Sequence, residues 1–444
     1  MKLGMISLGC AKNLVDTETM LGLLQEDGWT LTADPADADI LIVNTCAFIE
    51  SAKEESITTA IGMADYKDSG KCRGLILAGC LAERYGEELL EELPEVDVFV
   101  GASAWDRIAE AVSLALRGKR AVITGESGAL YDAKTPRVRT TPNYTAYVKI
   151  AEGCNHACAF CAIPLIRGKL KSRKIEDIAA EVEALGKSGV KEINLVAQDT
   201  TDYGRDIYGE YSLAKLLKEL AKIESIDWIR VLYSYPKHFT DELIEVFATE
   251  PKILKYVDVP LQHADNDVLR AMGRPDTRES VHSFFEKLRK KIPDVSIRTT
   301  FLVGFPGETD EAFENLCDFV REEKFDKAGV FPYSQEEGTR AAKMDGQVSH
   351  EVKEERYHKL MSIQSKISEE KNEAVEGKVF DVLIEGINED ENVAVGRSYR
   401  EAPEVDGGVY IENAGELKAG EMRKVKILQG FVYDVVGELE EENE

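Results

Sequence analysis

The stretch Tyr147-Val148-Lys149-Ile150-Ala151-Glu152-Gly153-Cys154-Asn155-His156-Ala157-Cys158-Ala159-Phe160-Cys161 decides how this chain is read. A β-leaning run delivers, from its carboxyl end, a loop that carries Cys154, Cys158 and Cys161. Thiolates are soft ligands that select iron–sulfur clusters, zinc or copper(I), so cysteines this close together speak for metal before disulfide. The spacing lets one compact loop wrap a [4Fe–4S] cubane. Such a cluster takes one thiolate per iron, and three thiolates leave one iron open to another ligand. A structural zinc site needs a fourth Cys or His, and the only close candidate is His156, inside the loop itself.

Working outward, Met5-Ile6-Ser7-Leu8-Gly9, Ile40-Leu41-Ile42-Val43-Asn44-Thr45 and Gly74-Leu75-Ile76-Leu77-Ala78-Gly79 read as short buried strands. Each ends at a cysteine: Cys10, Cys46 and Cys80. Helical patterns follow, such as Leu14, Thr17 and Leu21 after Cys10, so the region reads as β-α repeats of a parallel sheet. Ligand crevices in such sheets lie beyond the carboxyl ends of the strands, where these three thiols converge. The alternative is three small buried residues with no ligand. Cys72 falls at the start of its strand, on the opposite rim, and reads as structural. Cys317 shares an apolar helical stripe with Phe313, Leu316 and Val320 and reads as core.

At 444 residues the chain is too long for one typical core, so two or three domains are expected. No segment approaches the roughly 20 apolar residues of a membrane span, and Met1-Lys2-Leu3-Gly4 opens a strand rather than a signal peptide, so a cytoplasmic protein with reduced thiols is expected. The net charge of −27 is uneven: from Glu376 onward acids exceed bases by 11 in 69 residues, against 16 in the other 375. Acidic surface repels phosphate and attracts basic partners, which makes this tail a poor nucleic-acid module, unless the charge serves solubility alone.

The fold class expected is α/β in three parts. Residues 1–123 form a parallel-sheet domain, and 124–143, with Pro136 and Pro142 and no apolar period, form a linker. Residues 144–374 alternate strands near 145–151, 191–197, 227–233, 255–259, 296–303 and 327–333 with helices such as 175–187, 212–223, 240–248 and 311–323. Six β-α units suggest a partial (β/α)6 TIM-like barrel with its reacting groups at the carboxyl face of the strands. Ser349 caps a long helix running to about Ala374, with Val352, Leu360, Ile363 and Ile367 as its buried stripe. Residues 376–440 read as five short strands of a small β-barrel, with a frayed end from Glu440 to Glu444.

With these pieces placed, the chain resembles the radical S-adenosylmethionine (SAM) methylthiotransferases over its whole length. The Cys154 loop, with Phe160 beside its last cysteine, is similar to the superfamily's signature loop, whose aromatic lies against the nucleoside. The leading domain resembles the methylthiotransferase domain, in which Cys10, Cys46 and Cys80 hold an auxiliary cluster. The last barrel resembles a TRAM domain. Ser7-Leu8-Gly9-Cys10-Ala11-Lys12-Asn13, Cys161-Ala162-Ile163-Pro164, Gln198-Asp199-Thr200-Thr201, Pro260-Leu261-Gln262-His263-Ala264 and Gly329-Val330-Phe331-Pro332-Tyr333-Ser334 resemble the branch that modifies a ribosomal protein. The branch that modifies transfer RNA has Gln-Met-Asn after its first cysteine.

The resemblance implies two [4Fe–4S] clusters, on Cys10, Cys46 and Cys80 and on Cys154, Cys158 and Cys161, with SAM as cosubstrate. It implies that a radical derived from SAM takes a hydrogen from the β-carbon of an aspartate of ribosomal protein S-twelve, a strongly basic protein, and that the carbon then captures a methylthio group. An electron donor such as a flavodoxin or ferredoxin is implied as partner, with nucleic acid not the main substrate. Val303-Gly304-Phe305-Pro306-Gly307-Glu308 resembles the adenine-side loop, with Gly304 and Glu308 as cofactor contacts, or is a plain tight turn. Gln198 and Asp199 end a strand at the same rim and suit the ribose or the methionyl end. His263 is a satisfied structural histidine or a substrate contact. Arg167, Lys169, Lys171, Arg173 and Lys174 form a solvated face or a carboxylate grip. The competing functions are a transfer-RNA adenosine methylthiotransferase and, in another class, a non-catalytic iron–sulfur electron carrier or ribosome-binding module.

Overall fold

The computed structural model describes residues 1–125 and 130–440. Its first sheet is built from β1 (Lys2–Ser7), β2 (Thr30–Leu31), β3 (Ile40–Thr45), β4 (Leu75–Gly79), β5 (Val98–Gly101) and β6 (Ala121–Ile123), in the order β2-β1-β3-β4-β5-β6 with every pair parallel. Strand side chains alternate between faces, and both faces are covered. Ile40 and Ile42 pack with Leu21, Leu24 and Val112 on one side. Leu41 and Val43 pack with Ala60, Leu81 and Leu89 on the other.

The second body carries β7 (Thr145–Lys149), β8 (Ala151–Glu152), β9 (Lys171–Ser172), β10 (Glu192–Val196), β11 (Trp228–Val231), β12 (Tyr256–Gln262), β13 (Ser296–Val303) and β14 (Lys327–Pro332). The six expected parallel strands are present, as two runs of three, β11-β10-β7 and β12-β13-β14. They meet where the N–H of Ser234 donates to the Asp258 carbonyl at 2.9 Å and the N–H of Tyr233 to its carboxylate at 2.9 Å. Helices such as Ile175–Lys187, Asp241–Thr249 and Asp310–Glu323 cover the outside over one apolar core. Cys317 is fully buried in that core. Cys72 precedes β4 and bonds the Gly74 carbonyl.

The helix His350–Glu373 begins where the Ser349 hydroxyl accepts from the N–H of Val352. Leu360 and Ile367 form its buried stripe, whereas Val352 and Ile363 are only half-buried. Beyond it β15 (Val379–Asn388), β16 (Val393–Arg397), β17 (Val409–Glu412), β18 (Met422–Gly430) and β19 (Val435–Leu439) close a barrel in the order β15-β16-β17-β19-β18. This barrel grips the amino ends of the second body's strands: Arg397 clamps Glu192 at 2.6 Å, and the Tyr256 hydroxyl bonds Asp406 at 2.6 Å. Two acids of the tail, Glu401 and Asp406, are therefore spent inside the protein rather than on its surface. Of the frayed end expected from Glu440 to Glu444, residues 441–444 lie outside the described residues.

Among its described residues the expected linker has no helix or strand, but it is not loose. Residues 126–129 of it are outside the described part; the rest crosses the helix Ala11–Glu26 so closely that a Cβ on Gly22 would stand 2.3 Å from the backbone of Pro136. Arg137 pairs with the buried Glu18 at 2.5 Å and with Glu181 at 2.7 Å, and the N–H of Thr140 donates to Glu18 at 2.6 Å. The polarity that suggested a linker instead satisfies a buried carboxylate.

Candidate functional site

The sheet registers Ser7 beside Asn44 and Thr45 beside Gly79, so β1, β3 and β4 end together. Cys10 caps the helix Ala11–Glu26, Cys46 follows β3, and Cys80 opens the helix Cys80–Glu92. Two tight turns require glycine here. Gly9 has φ +87°, and a Cβ on it would stand 2.9 Å from that of Cys46. Gly79 has φ +95°, and its Cβ would meet Asn44 Oδ1 at 2.2 Å. Beneath the thiols, Asn13 Nδ2 donates to the carbonyls of Leu8 and Thr45, and its Oδ1 accepts from Cys80 Sγ at 3.5 Å.

The three thiols feel one another. Burial pushes Cys46 up to about 12, and the neighbouring Cys80 and Cys10 add to the effect. Burial also raises Cys80, against the pull of Arg167. Cys10 differs: it has exposed surface yet sits among protein charges, and against the cost of burial Lys12, the N–H groups of Asn13 and Lys12, and Arg167 bring its thiol below the ordinary value.

The loop triad is built locally. The antiparallel pair β8 and β9 closes its neck, with Ala151 opposite Ser172. Gly153, at φ +74°, passes so near Lys169 that a Cβ would stand 2.2 Å from its carbonyl oxygen. The N–H of Cys154 donates to Gly168, that of Ala159 to Met272 and that of His156 to Cys154 Sγ. The His156 imidazole stacks on Tyr235 with ring centres 4.5 Å apart and bonds Asp199 at 2.7 Å. Burial pushes Cys154 and Cys161 up to about 12, and mutual repulsion with Cys158 adds to it. Neutral thiols held near one another in this way suit a metal that replaces their protons.

The donor set also speaks to which metal. Zinc–sulfur bonds of about 2.3 Å would draw three sulfurs to within about 4 Å of one another. Among the described residues the one such group with all donor atoms within 4.8 Å is His156, Asp199 and His238, not either cysteine triad. A cage with one iron per thiolate needs no such closeness and fits both triads.

Between the triads runs a buried charge network that sequence reasoning missed. Arg167 Nη2 reaches Cys80 Sγ at 3.4 Å and Asn13 Oδ1 at 2.5 Å, while Nη1 pairs with Asp16 at 2.6 Å and Glu152 at 3.2 Å. Lys149 pairs with the same two carboxylates. Gln198 Nε2 donates to Glu152 at 2.7 Å, and its Oε1 is buried without a partner among the described residues. Such an orphaned acceptor suits a ligand donor. The one available signal was Lys149 itself, a charge inside an otherwise buried strand.

The remaining candidates share the same rim. Phe160 is half-buried and packs on the cluster that holds Phe305, Met272 and Tyr333. Gly304, at φ +72°, faces Lys353, whose Cγ would lie 2.3 Å from an added Cβ. Glu308 turns inward: it accepts from the N–H groups of Gly304 and Phe305 at 2.7 and 3.1 Å and pairs with Arg356, and burial pushes its carboxyl up to about 7. It shapes the loop from within. Asp199 is likewise occupied, by His156, His238 and Thr201. His263 is buried, accepts the N–H of Asp265 through Nδ1, and burial keeps it neutral, with its pKa lowered to about 3. The basic run divides: Arg167 and Arg173 are buried in ion pairs, whereas Lys169, Lys171 and Lys174 are exposed and form the solvated face.

Residues 148–320 match the radical SAM superfamily, residues 2–101 the uncharacterized protein family UPF0004, and residues 377–439 the TRAM domain. Over 439 residues, 98% of this chain and 99% of the relative, the sequence is 53% identical to ribosomal protein uS12 methylthiotransferase RimO of Desulforamulus reducens. The chain belongs to the RimO family. The protein of the same name from Pelotomaculum thermopropionicum is 49% identical, over 98% of this chain and 99% of that one. Among solved structures, the radical S-adenosylmethionine methyltransferase TsrM from Kitasatospora setae is similar with a TM-score of 0.56 at 12% identity, over 74% of this chain and 71% of that one, which shows a common fold. As a RimO-family member the chain is an enzyme, a radical SAM methylthiotransferase, and not a cluster carrier.

Proposed function

We propose that this enzyme attaches a methylthio group to the β-carbon of an aspartate of ribosomal protein uS12. What supports the reading is that Arg167, six residues after Cys161, reaches Cys80 Sγ at 3.4 Å and Glu152, two residues before Cys154, at 3.2 Å. Cys154, Cys158 and Cys161 hold one [4Fe–4S] cluster, and Cys10, Cys46 and Cys80 hold the other. Gln198 offers its free carbonyl oxygen to SAM, Phe160 offers an apolar face, and Glu308 keeps the Gly304 turn in shape. When bound, cluster and SAM together supply a radical able to take hydrogen from an unactivated carbon, chemistry that no side chain provides.

The chain's own residues do the placing. Glu152, Lys149, Asp16 and Arg167 fix the feet of both triads in a buried, charge-balanced interior, so the loops that would hold the two clusters are fixed relative to each other. The working units are residues 1–123, 144–374 and 376–440, the last as the substrate-reading barrel. Its outward acids, Asp381, Glu389, Asp390 and Glu391 among them, suit a basic protein better than an RNA. A small flavodoxin or ferredoxin supplies electrons in the cytoplasm. Among the described residues no helix is long and apolar enough to cross a membrane.

The test is reconstitution with iron and sulfide, followed by separate incubation with uS12 and with transfer RNA. Mass spectrometry is expected to find the added methylthio mass on uS12. Modification of the RNA alone would replace the proposal with the transfer-RNA reading.

A further inference from the structure

Lys12 is nine-tenths buried and, among the described residues, no carboxylate lies within ion-pair reach of its ammonium group. The other two buried lysines each face one: Lys149 meets Asp16 and Glu152, and Lys327 meets Glu401. A buried charge with no carboxylate beside it costs several kcal/mol, and the neighbouring Cys10 thiol offsets this only in part, so the site favours a further anion. The nearby cation Arg167 is already occupied by Asp16 and Glu152.

The setting of Lys12 points the same way. It lies two residues after Cys10, in the first turn of the helix that Cys10 caps, and its Nζ stands 3.5 Å from the centre of the Tyr233 ring. Tyr233 lies just past the carboxyl end of β11, so Lys12 spans the gap from the first triad to the barrel rim. Tyr233 holds φ +62°, a conformation that costs a non-glycine residue on the order of 1 kcal/mol or more. Its N–H donates to Asp258 at 2.9 Å, and its carbonyl accepts from the N–H of Thr200 at 2.9 Å, which fixes the backbone in that state. The ring thereby becomes a rigid seat for the ammonium group.

We infer that Lys12, seated on Tyr233, binds the side-chain carboxylate of the protein substrate and so places its β-carbon between the two cysteine triads. The inference rests on the reading of an aspartate as the modified residue. A carboxylate held at Lys12 leaves the adjoining methylene one bond away, which is the carbon that must meet both chemistries. A neutral asparagine of the same shape would leave the ammonium unpaired and would be rejected.

The test uses the enzyme with both clusters, and uS12 with its target aspartate intact or changed to asparagine. The unaltered enzyme is expected to bind the aspartate form at least about tenfold more tightly than the asparagine form. Lys12→Met should bind both alike, Lys12→Arg should keep most of the preference, and Tyr233→Leu should fall between. Iron content should be the same in all four proteins, while the electron paramagnetic resonance signal of the reduced clusters reports any effect on the Cys10 sulfur. If Lys12 serves only the Cys10 sulfur, Lys12→Met will change that signal and keep the preference, and the assignment is overturned. An unaltered enzyme that ignores uS12 altogether sinks the substrate reading beneath it; one that prefers aspartate whatever stands at position 12 sinks Lys12 alone.

Discussion

The two cysteine triads solve one problem at opposite ranges of sequence. Cys154, Cys158 and Cys161 share a single loop, whose geometry comes from a two-residue strand neck, one left-handed glycine and a few backbone hydrogen bonds. Cys10, Cys46 and Cys80 span 71 residues and meet only because three neighbouring parallel strands end in register. The first site is a property of a segment, the second of a topology. A local site can be damaged and leave the fold intact, whereas the distributed one is as secure as the sheet that makes it.

The sharpest way to separate them is to remove one thiol from each. Cys158→Ala should abolish SAM cleavage, while Cys46→Ala should keep cleavage and lose only sulfur transfer. Each should also lower bound iron from about eight to about four atoms per chain. Deoxyadenosine release by chromatography, product mass and iron analysis read the three quantities. Equal loss of cleavage in both variants would show that the triads do not act separately.

Arg167→Met attacks what joins them. It leaves Asp16 and Glu152 to share Lys149 alone, so a loss of about 3–5 kcal/mol is expected, together with a shifted reduction potential of the Cys80 cluster. Calorimetry and potentiometric titration measure these.

A smaller effect comes from outside, through Glu192, which anchors the sheet of the loop triad to the C-terminal barrel. Burial opposes its charge, but Arg397 and Arg230 prevail and hold its carboxyl at about 2 instead of 4.5. A carboxyl lowered on folding adds stability above its unfolded value, and that stability is lost as pH falls through the window from 4.5 to about 2. The thermal midpoint of the unaltered protein should therefore drop more steeply over that window than that of Glu192→Gln, by up to about 3 kcal/mol in stability. Parallel curves would remove Glu192 from the account.

The mildest comparison sets glycine against glycine. Gly153→Ala puts a methyl into a backbone carbonyl and should cost about 1–3 kcal/mol with loss of loop-cluster iron. Gly9→Ala meets the side chains of Cys46 and Asn13 rather than backbone and should cost less, while Gly28→Ala, with open space around it, keeps both clusters. Iron content after reconstitution orders the three.

Much of this was legible in the chain. Runs such as Ile40-Leu41-Ile42-Val43 announce a buried parallel strand because both faces are apolar, and a cysteine at each strand end then needs only the parallel-sheet rule to bring the three together. The fourfold recurrence of apolar residues likewise gave the helix beginning after Ser349. What stayed hidden is what depends on partners far off in sequence. Asp16 and Glu18 carry no signal in the sequence pattern, yet Lys149, Arg167 and Arg137 arrive from 119 to 151 residues away to pair with them. No periodicity reports a charge whose counter-charge lies in another domain. For the same reason Glu308 and Asp199 read as ligand contacts, although each is consumed by neighbours that only the fold supplies.

Glu18 carries one last implication. The strap that grips it, together with Asp16 held by Lys149 and Arg167, rivets the leading sheet to the barrel through interior ion pairs whose rupture would cost several kcal/mol apiece. A join of this kind disfavours opening the two halves like jaws around a folded protein. Selection by slenderness is the expected consequence: a target at the tip of a protruding loop should be admitted more readily than one on a flat surface.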